Sequence, residues 1–172
     1  MAGSTLPSPF DRLDASITGW LARLGPPVLR IGLGVIFLWF GVLKFFPDLS
    51  PAQELSTRTI QQLTFGIVPP GISLPVLAAW ETVIGLGLIS GRYLRAILFL
   101  LVVQMAGTLT PLVLFPSETF TRFPYAPTLE GQYIIKNVVL IGAAMIVGAM
   151  VRGGRIVADP NAAETAEAVS SS

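Results

Sequence analysis

The sequence predicts an all-α membrane protein, a bundle of four transmembrane helices. An amphipathic interfacial helix precedes the bundle, and a short outer-face helix lies between its first two spans. Three observations carry this. Hydrophobic residues make up 52% of the 172 positions while charged residues make up 12%, about half the roughly 25% usual in soluble domains. Four apolar stretches reach or approach the roughly 20 residues needed to cross a bilayer. Basic residues gather on alternate connections. Such a chain cannot clothe a water-facing surface, so lipid is part of its solvent.

The N-terminal segment, residues 1–27, has its own pattern. Phe10, Leu13, Ile17, Trp20, Leu21 and Leu24 recur at helical spacing, with Arg12, Asp14 and Arg23 elsewhere on the wheel. Ser8, Pro9 and Asp11 read as an N-cap, a first-turn proline and a favourable charge at the helix's positive end. The expectation is a helix lying in the inner interface and stopped by Gly25-Pro26-Pro27. A cleaved signal peptide is not expected, because Asp11 and Asp14 occupy the place of a positive n-region.

The transmembrane domain, 28–151, holds spans at about Val28–Phe46, Ser73–Ser90, Tyr93–Phe115 and Glu130–Val151. Glu81 interrupts the second. Between the first two, Ser50-Pro51-Ala52-Gln53 has a capping-box pattern, and Leu55, Ile60 and Leu63 give the helix it opens an apolar side. Gly66 and Pro69-Pro70-Gly71 are expected to end that helix. Between the last two spans, Pro116–Thr128 is rich in proline and aromatics and predicts an ordered cap at the outer interface. The tail, 152–172, turns to Ala, Glu and Ser from Asp159 and is expected to be disordered.

Orientation follows from arginine. Arg12, Arg23, Arg30, Arg92, Arg95, Arg152 and Arg155 fall on the side of the termini; Arg58 and Arg122 fall opposite, with Lys44 near a helix end. This positive-inside bias predicts that both termini are cytoplasmic; a bacterial cytoplasmic (inner) membrane is the expected location.

Composition also narrows the chemistry. There is no Cys and no His, so disulfide, dithiol and iron–sulfur chemistry and imidazole ligation have no side chain to use. Any redox role must borrow its electron carrier from a partner or from a diffusible quinone. With net charge +1 and no basic block, no nucleic-acid partner is expected.

The remaining polar residues inside the spans are costly in lipid, which directs attention to Lys44, Glu81 and Lys136, with Gln104, Thr108 and Asn137 as neutral companions. Helix rise puts Lys44 roughly 21 Å beyond Arg30, Glu81 about 13 Å from Ser90, Gln104 about 16 Å from Tyr93 and Lys136 roughly 22 Å from Val151. All lie between the midplane and the outer half. Arg30, Gly34, Phe37, Gly41 and Lys44 share one stripe; Glu81, Gly85 and Leu88 another; Gln104, Thr108 and Pro111 a third; Gln132 and Lys136 a fourth. Turned inward, these stripes hide every charge from lipid. Side chains lean toward a helix's N-terminus, so Lys44 and Glu81 lean together and Lys136 leans away. The expected ion pair is Lys44–Glu81, leaving Lys136 for a ligand or for the interface.

Each residue has a plainer reading beside the functional one. Lys44 and Lys136 can snorkel. Glu81 can serve as a structural ion pair rather than a ligand or proton site. Gln104 and Thr108 can be interhelical glue. Trp39 and Trp80 read as packing or interface anchors.

Leu29-Arg30-Ile31-Gly32-Leu33-Gly34 with Phe40-Gly41-Val42-Leu43-Lys44-Phe45 resembles the first helix of the DoxX-like membrane family. Trp80-Glu81-Thr82-Val83-Ile84-Gly85-Leu86-Gly87-Leu88 with Gly91-Arg92 resembles its second helix. Gly131-Gln132-Tyr133-Ile134-Ile135-Lys136-Asn137 resembles the fourth helix of the YkgB-type branch. The resemblance implies a four-helix bundle tied to quinone-linked sulfur oxidation or to oxidative-stress membrane complexes. The expected role is at most that of a non-catalytic subunit of a quinone-linked oxidoreductase. No intrinsic cofactor is expected; the expected ligand is a quinone or another amphipathic molecule held between the helices, with Lys136, Gln104 and Asn137 contacting its oxygens and Glu81 and Lys44 fixing or relaying protons. Expected partners are the bilayer, subunits of a membrane redox complex and further copies of the chain. The alternatives are a structural component of such a complex without a ligand of its own, and a small-solute transporter or channel.

Overall fold

In a computed structural model the described residues are 9–46, 49–50 and 53–158. Ser8 and the tail from Asp159 lie outside them, so the N-cap reading and the expected disorder fall beyond the described residues.

The helices are α1 (Pro9–Leu43), α2 (Gln53–Leu63), α3 (Pro70–Ser90), α4 (Leu94–Leu109), α5 (Pro111–Leu114), α6 (Pro116–Thr119) and α7 (Leu129–Met150). A hairpin of β1 (Phe120–Arg122) and β2 (Ala126–Pro127) separates α6 from α7. Four apolar rods are long enough to cross a bilayer: Arg12–Leu43, Pro70–Ser90, Leu94–Leu114 and Leu129–Met150. The third joins α4 to α5 across Thr110, where Pro111 has no N–H to continue the ladder.

Close approach explains the main pairing. α1 packs most extensively on α3. A Cβ on Gly41 would lie 2.7 Å from Thr82 N and 2.9 Å from Glu81 Cβ, and one on Gly85 would strike the Leu38 backbone. α4 and α7 complete the bundle, with Ala143, Ala144 and Val147 set against Ile97, Leu101 and Met105 in the core around Ile84 and Leu88.

Four expectations are corrected. Gly25-Pro26-Pro27 does not stop a helix; α1 runs through both prolines. Proline keeps a helical φ, so the pair removes two N–H donors without forbidding the turn. The capping box before α2 is not completed, since Gln53 Oε1 is buried without a hydrogen-bond partner. The packed side of α2 also differs. Leu55 is buried, Ile60 is half-buried and Leu63 is exposed, while Thr57 and Thr59 are buried with their hydroxyls bonded to carbonyls one turn back. Pro70 and Gly71 open α3 instead of belonging to the preceding turn, which is made by Phe65 and Gly66, both at positive φ.

Candidate functional site

The polar centre of the bundle forms where α1, α3 and α4 meet. Glu81 is 7% exposed, deep on α3. Lys44, in the turn that ends α1, donates from Nζ to Glu81 Oε2 at 2.6 Å. Gln104 of α4 donates from Nε2 to Glu81 Oε1 at 3.0 Å. Each carboxylate oxygen therefore has a donor from a different helix. Burial of this charge is compensated by a cation and an amide together, as a buried ion must be. The Lys44 ammonium also lies 3.4 Å from the Phe40 carbonyl.

The local sequence puts these groups in contact. Gly41 sits one turn before Lys44 and admits the α3 backbone beside Glu81. Lys44 leans back along α1 and Glu81 leans toward the N-terminus of α3, so the side chains converge as direction alone predicts. Thr108 is half-buried and spends its hydroxyl on the Gln104 carbonyl at 2.9 Å, so it touches the centre only through the backbone that carries Gln104.

Lys136 does not join them. The stripe of Gln132 and Lys136 is exposed, and α7 turns Gly131, Ile134, Ala143, Ala144 and Val147 inward instead. Small residues there let α7 approach α4 closely, and that requirement outweighs hiding one ammonium. The Lys136 ammonium lies 5.6 Å from the centre of the Tyr133 ring, one turn back along α7. Asn137 is half-buried and makes no hydrogen bond to the Glu81 centre among the described residues.

Arg30 was legible only as part of a basic stripe. Its guanidinium donates from Nη1 to the carbonyls of Leu88 and, at 3.2 Å, Ile89 at the end of α3, beside the left-handed C-cap Gly91. Trp80 Nε1 donates to the Leu100 carbonyl at 3.3 Å and pins α3 to α4. The signal for Arg30 was its place on the stripe of Gly41 and Lys44, one helix length from Lys44.

The DoxX family model matches residues 25–115, from the α1 prolines through α5. The chain belongs to the DoxX family. No curated protein and no solved structure matches it. The DoxX segment thus contains Arg30, Lys44, Glu81 and Gln104 whole, while Lys136 and Asn137 lie on a helix beyond it.

A second polar surface lies at the α2 end of the bundle. Arg58 makes a two-pronged ion pair with Glu118, at 3.0 and 2.9 Å, and stacks over the Phe115 ring at 4.8 Å. Beside it, Gln61, Gln62, Phe65 and Gly66 line an open hollow of about 430 Å³. In this DoxX protein the bonds tie α2 to the cap that precedes α7.

Proposed function

We propose that this DoxX protein is a non-catalytic membrane subunit that takes a quinone-like ligand from the bilayer on the α7 surface. The observation that carries the reading is Lys136. Among the described span residues, Lys44 has a carboxylate partner, whereas Lys136 faces outward with only the Tyr133 ring beside it. A lipid-soluble molecule with carbonyl oxygens approaches from the acyl side and needs donors there. Lys136, Gln132 and the half-buried Asn137 carry donors on neighbouring parts of α7, and the Tyr133 ring supplies a flat face. Gln104 is committed to Glu81 and serves the ligand less directly than composition suggests. With no Cys or His in the chain, electrons pass through the ligand and a partner enzyme of membrane redox or oxidative-stress chemistry. The excess of arginine on the side of the termini supports an orientation with both ends in the cytoplasm of a bacterial inner membrane.

The test is titration of the reconstituted protein with a short-chain quinone, followed by tryptophan quenching. Losing one charged hydrogen bond worth about 1.5–3 kcal/mol makes Lys136→Met bind roughly 10- to 150-fold more weakly. Equal affinity of variant and parent, or no binding by the parent, overturns the reading.

Full occupation of both Glu81 oxygens favours a second reading, an assembly component with no ligand, in which the buried centre is only glue. Constant co-purification with a redox enzyme in mild detergent, with no quinone in native mass spectra, decides for it.

A further inference from the structure

We infer that the N-terminal half of α1 is an in-plane helix that beds on the bilayer surface at the side of the termini, with Pro26-Pro27 as its hinge. Four observations lead there. α1 has 35 residues, a rod of ~52 Å at ~1.5 Å each, against a hydrocarbon core of ~30 Å. Fitting it by tilt alone needs more lean than the 0–40° range of membrane helices, and it would draw Arg12, Asp14 and Arg23 into acyl chains.

The half beyond the prolines is unpacked. Phe10, Leu13, Ile17, Trp20, Leu21 and Leu24 are all exposed, Trp20 to 59%, and nothing approaches the Cβ positions of Gly19 or Gly25 within 4 Å. These six side chains nevertheless form one stripe, an arc of about 100° when successive residues are turned by about 100°. In water that stripe has no solvent suited to it.

Its occupant is indicated by phase. Of the exposed large apolar residues of the same helix within the span, Val28, Ile31, Val35, Trp39 and Val42 fall on the same arc, and Ile36 and Phe40 widen the exposed face on one side of it. The packed residues Leu33, Gly34, Phe37 and Gly41 lie on the other side, against α3. The face that meets acyl chains inside the membrane therefore continues, without rotating, through the segment that leaves it. A face covered by another protein has no reason to keep the lipid register; one covered by the same bilayer does.

The prolines supply the bend. They leave the carbonyls of Ala22 and Arg23 without their helical donors, and each ring crowds the carbonyl one turn back. They are centred roughly 120° round the helix from the stripe, so relief of that crowding tips the N-terminal half toward the lipid-facing side. Bent this way, the apolar stripe sinks to the headgroup boundary while Arg12 and Arg23 stay in water.

The absence of cysteine allows a direct test on the full chain in phosphatidylcholine–phosphatidylglycerol vesicles. Single cysteines at Leu13, Ile17 and Leu21, and at Arg12, Ala15, Gly19 and Arg23, are nitroxide-labelled and probed with oxygen and a water-soluble nickel complex. The expected result is oxygen-accessible, nickel-shielded labels at the first three and the reverse at the other four. Nickel access at all seven overturns the inference, as for a rod standing in water. Shielding of the stripe from both probes also overturns it, in favour of a second copy or a partner protein. In the Pro26→Ala/Pro27→Ala background the oxygen preference at Leu13 should be lost; its persistence removes the hinge from the proposal.

Discussion

Glu81 is expensive to disturb because its charge is answered inside the bundle and nowhere else. Glu81→Ala leaves the Lys44 ammonium buried without a carboxylate, and removal of one partner of such a pair costs about 3–5 kcal/mol. The expected outcome is a marked loss of thermal stability in detergent, largely recovered when Lys44→Met is added, since two apolar side chains then replace two charges. A double-variant protein no more stable than Glu81→Ala alone would mean that Lys44 contributes little to the pair. Gln104→Leu should cost less, about 1–3 kcal/mol for one unanswered acceptor, with the bundle still assembled. This pair was legible in the sequence, because both side-chain lean and the small residue at Gly41 point the same way. The outward turn of Lys136 was not. α7 is apolar nearly all round, so its hydrophobic pattern does not choose a face, and the assumption that a charge must point inward had nothing to correct it.

At the level of elements, glycine decides which helices touch. Gly41→Val puts branched carbon into the Thr82 and Glu81 backbone region of α3, an overpacking that costs about 1–3 kcal/mol and should loosen the α1–α3 pair. Gly142→Ala serves as the control, since nothing lies within 4 Å of that position; it should unfold at the parent's temperature or slightly above it. The sequence alone displayed the glycines but not this contrast between them, since spacing shows which face a glycine occupies and not how near the neighbour comes. The same holds for α1, where the consecutive prolines resemble a stop signal, yet the helix accepts them.

For the molecule as a whole, four crossings return the chain to the side from which it starts. With the arginine bias, fluorescent reporters fused to either end should both light up in the cytoplasm, while one placed at Phe123–Tyr125 should stay dark. Signals from opposite sides at the two ends would remove a span from the fold. Architecture at this scale was the part most open to reading, because bilayer thickness sets the length of each rod and glycine-proline connections mark the ends. Assembly of those rods into particular neighbours depends on side-chain fit, which no single sequence displays.

The small cap before α7 has a practical consequence. Its stem is fastened from several directions: the Thr128 hydroxyl donates to the Glu118 carbonyl and receives the Gly131 N–H, and the Thr119 carbonyl sits where any Cβ on Gly131 would go. Beyond the stem, Phe123 and Tyr125 are 67% and 72% exposed. Extra peptide spliced between them would be displayed without loosening its anchorage. That makes the tip a natural handle for an antibody epitope, giving purification and imaging from the far compartment while the bundle stays intact.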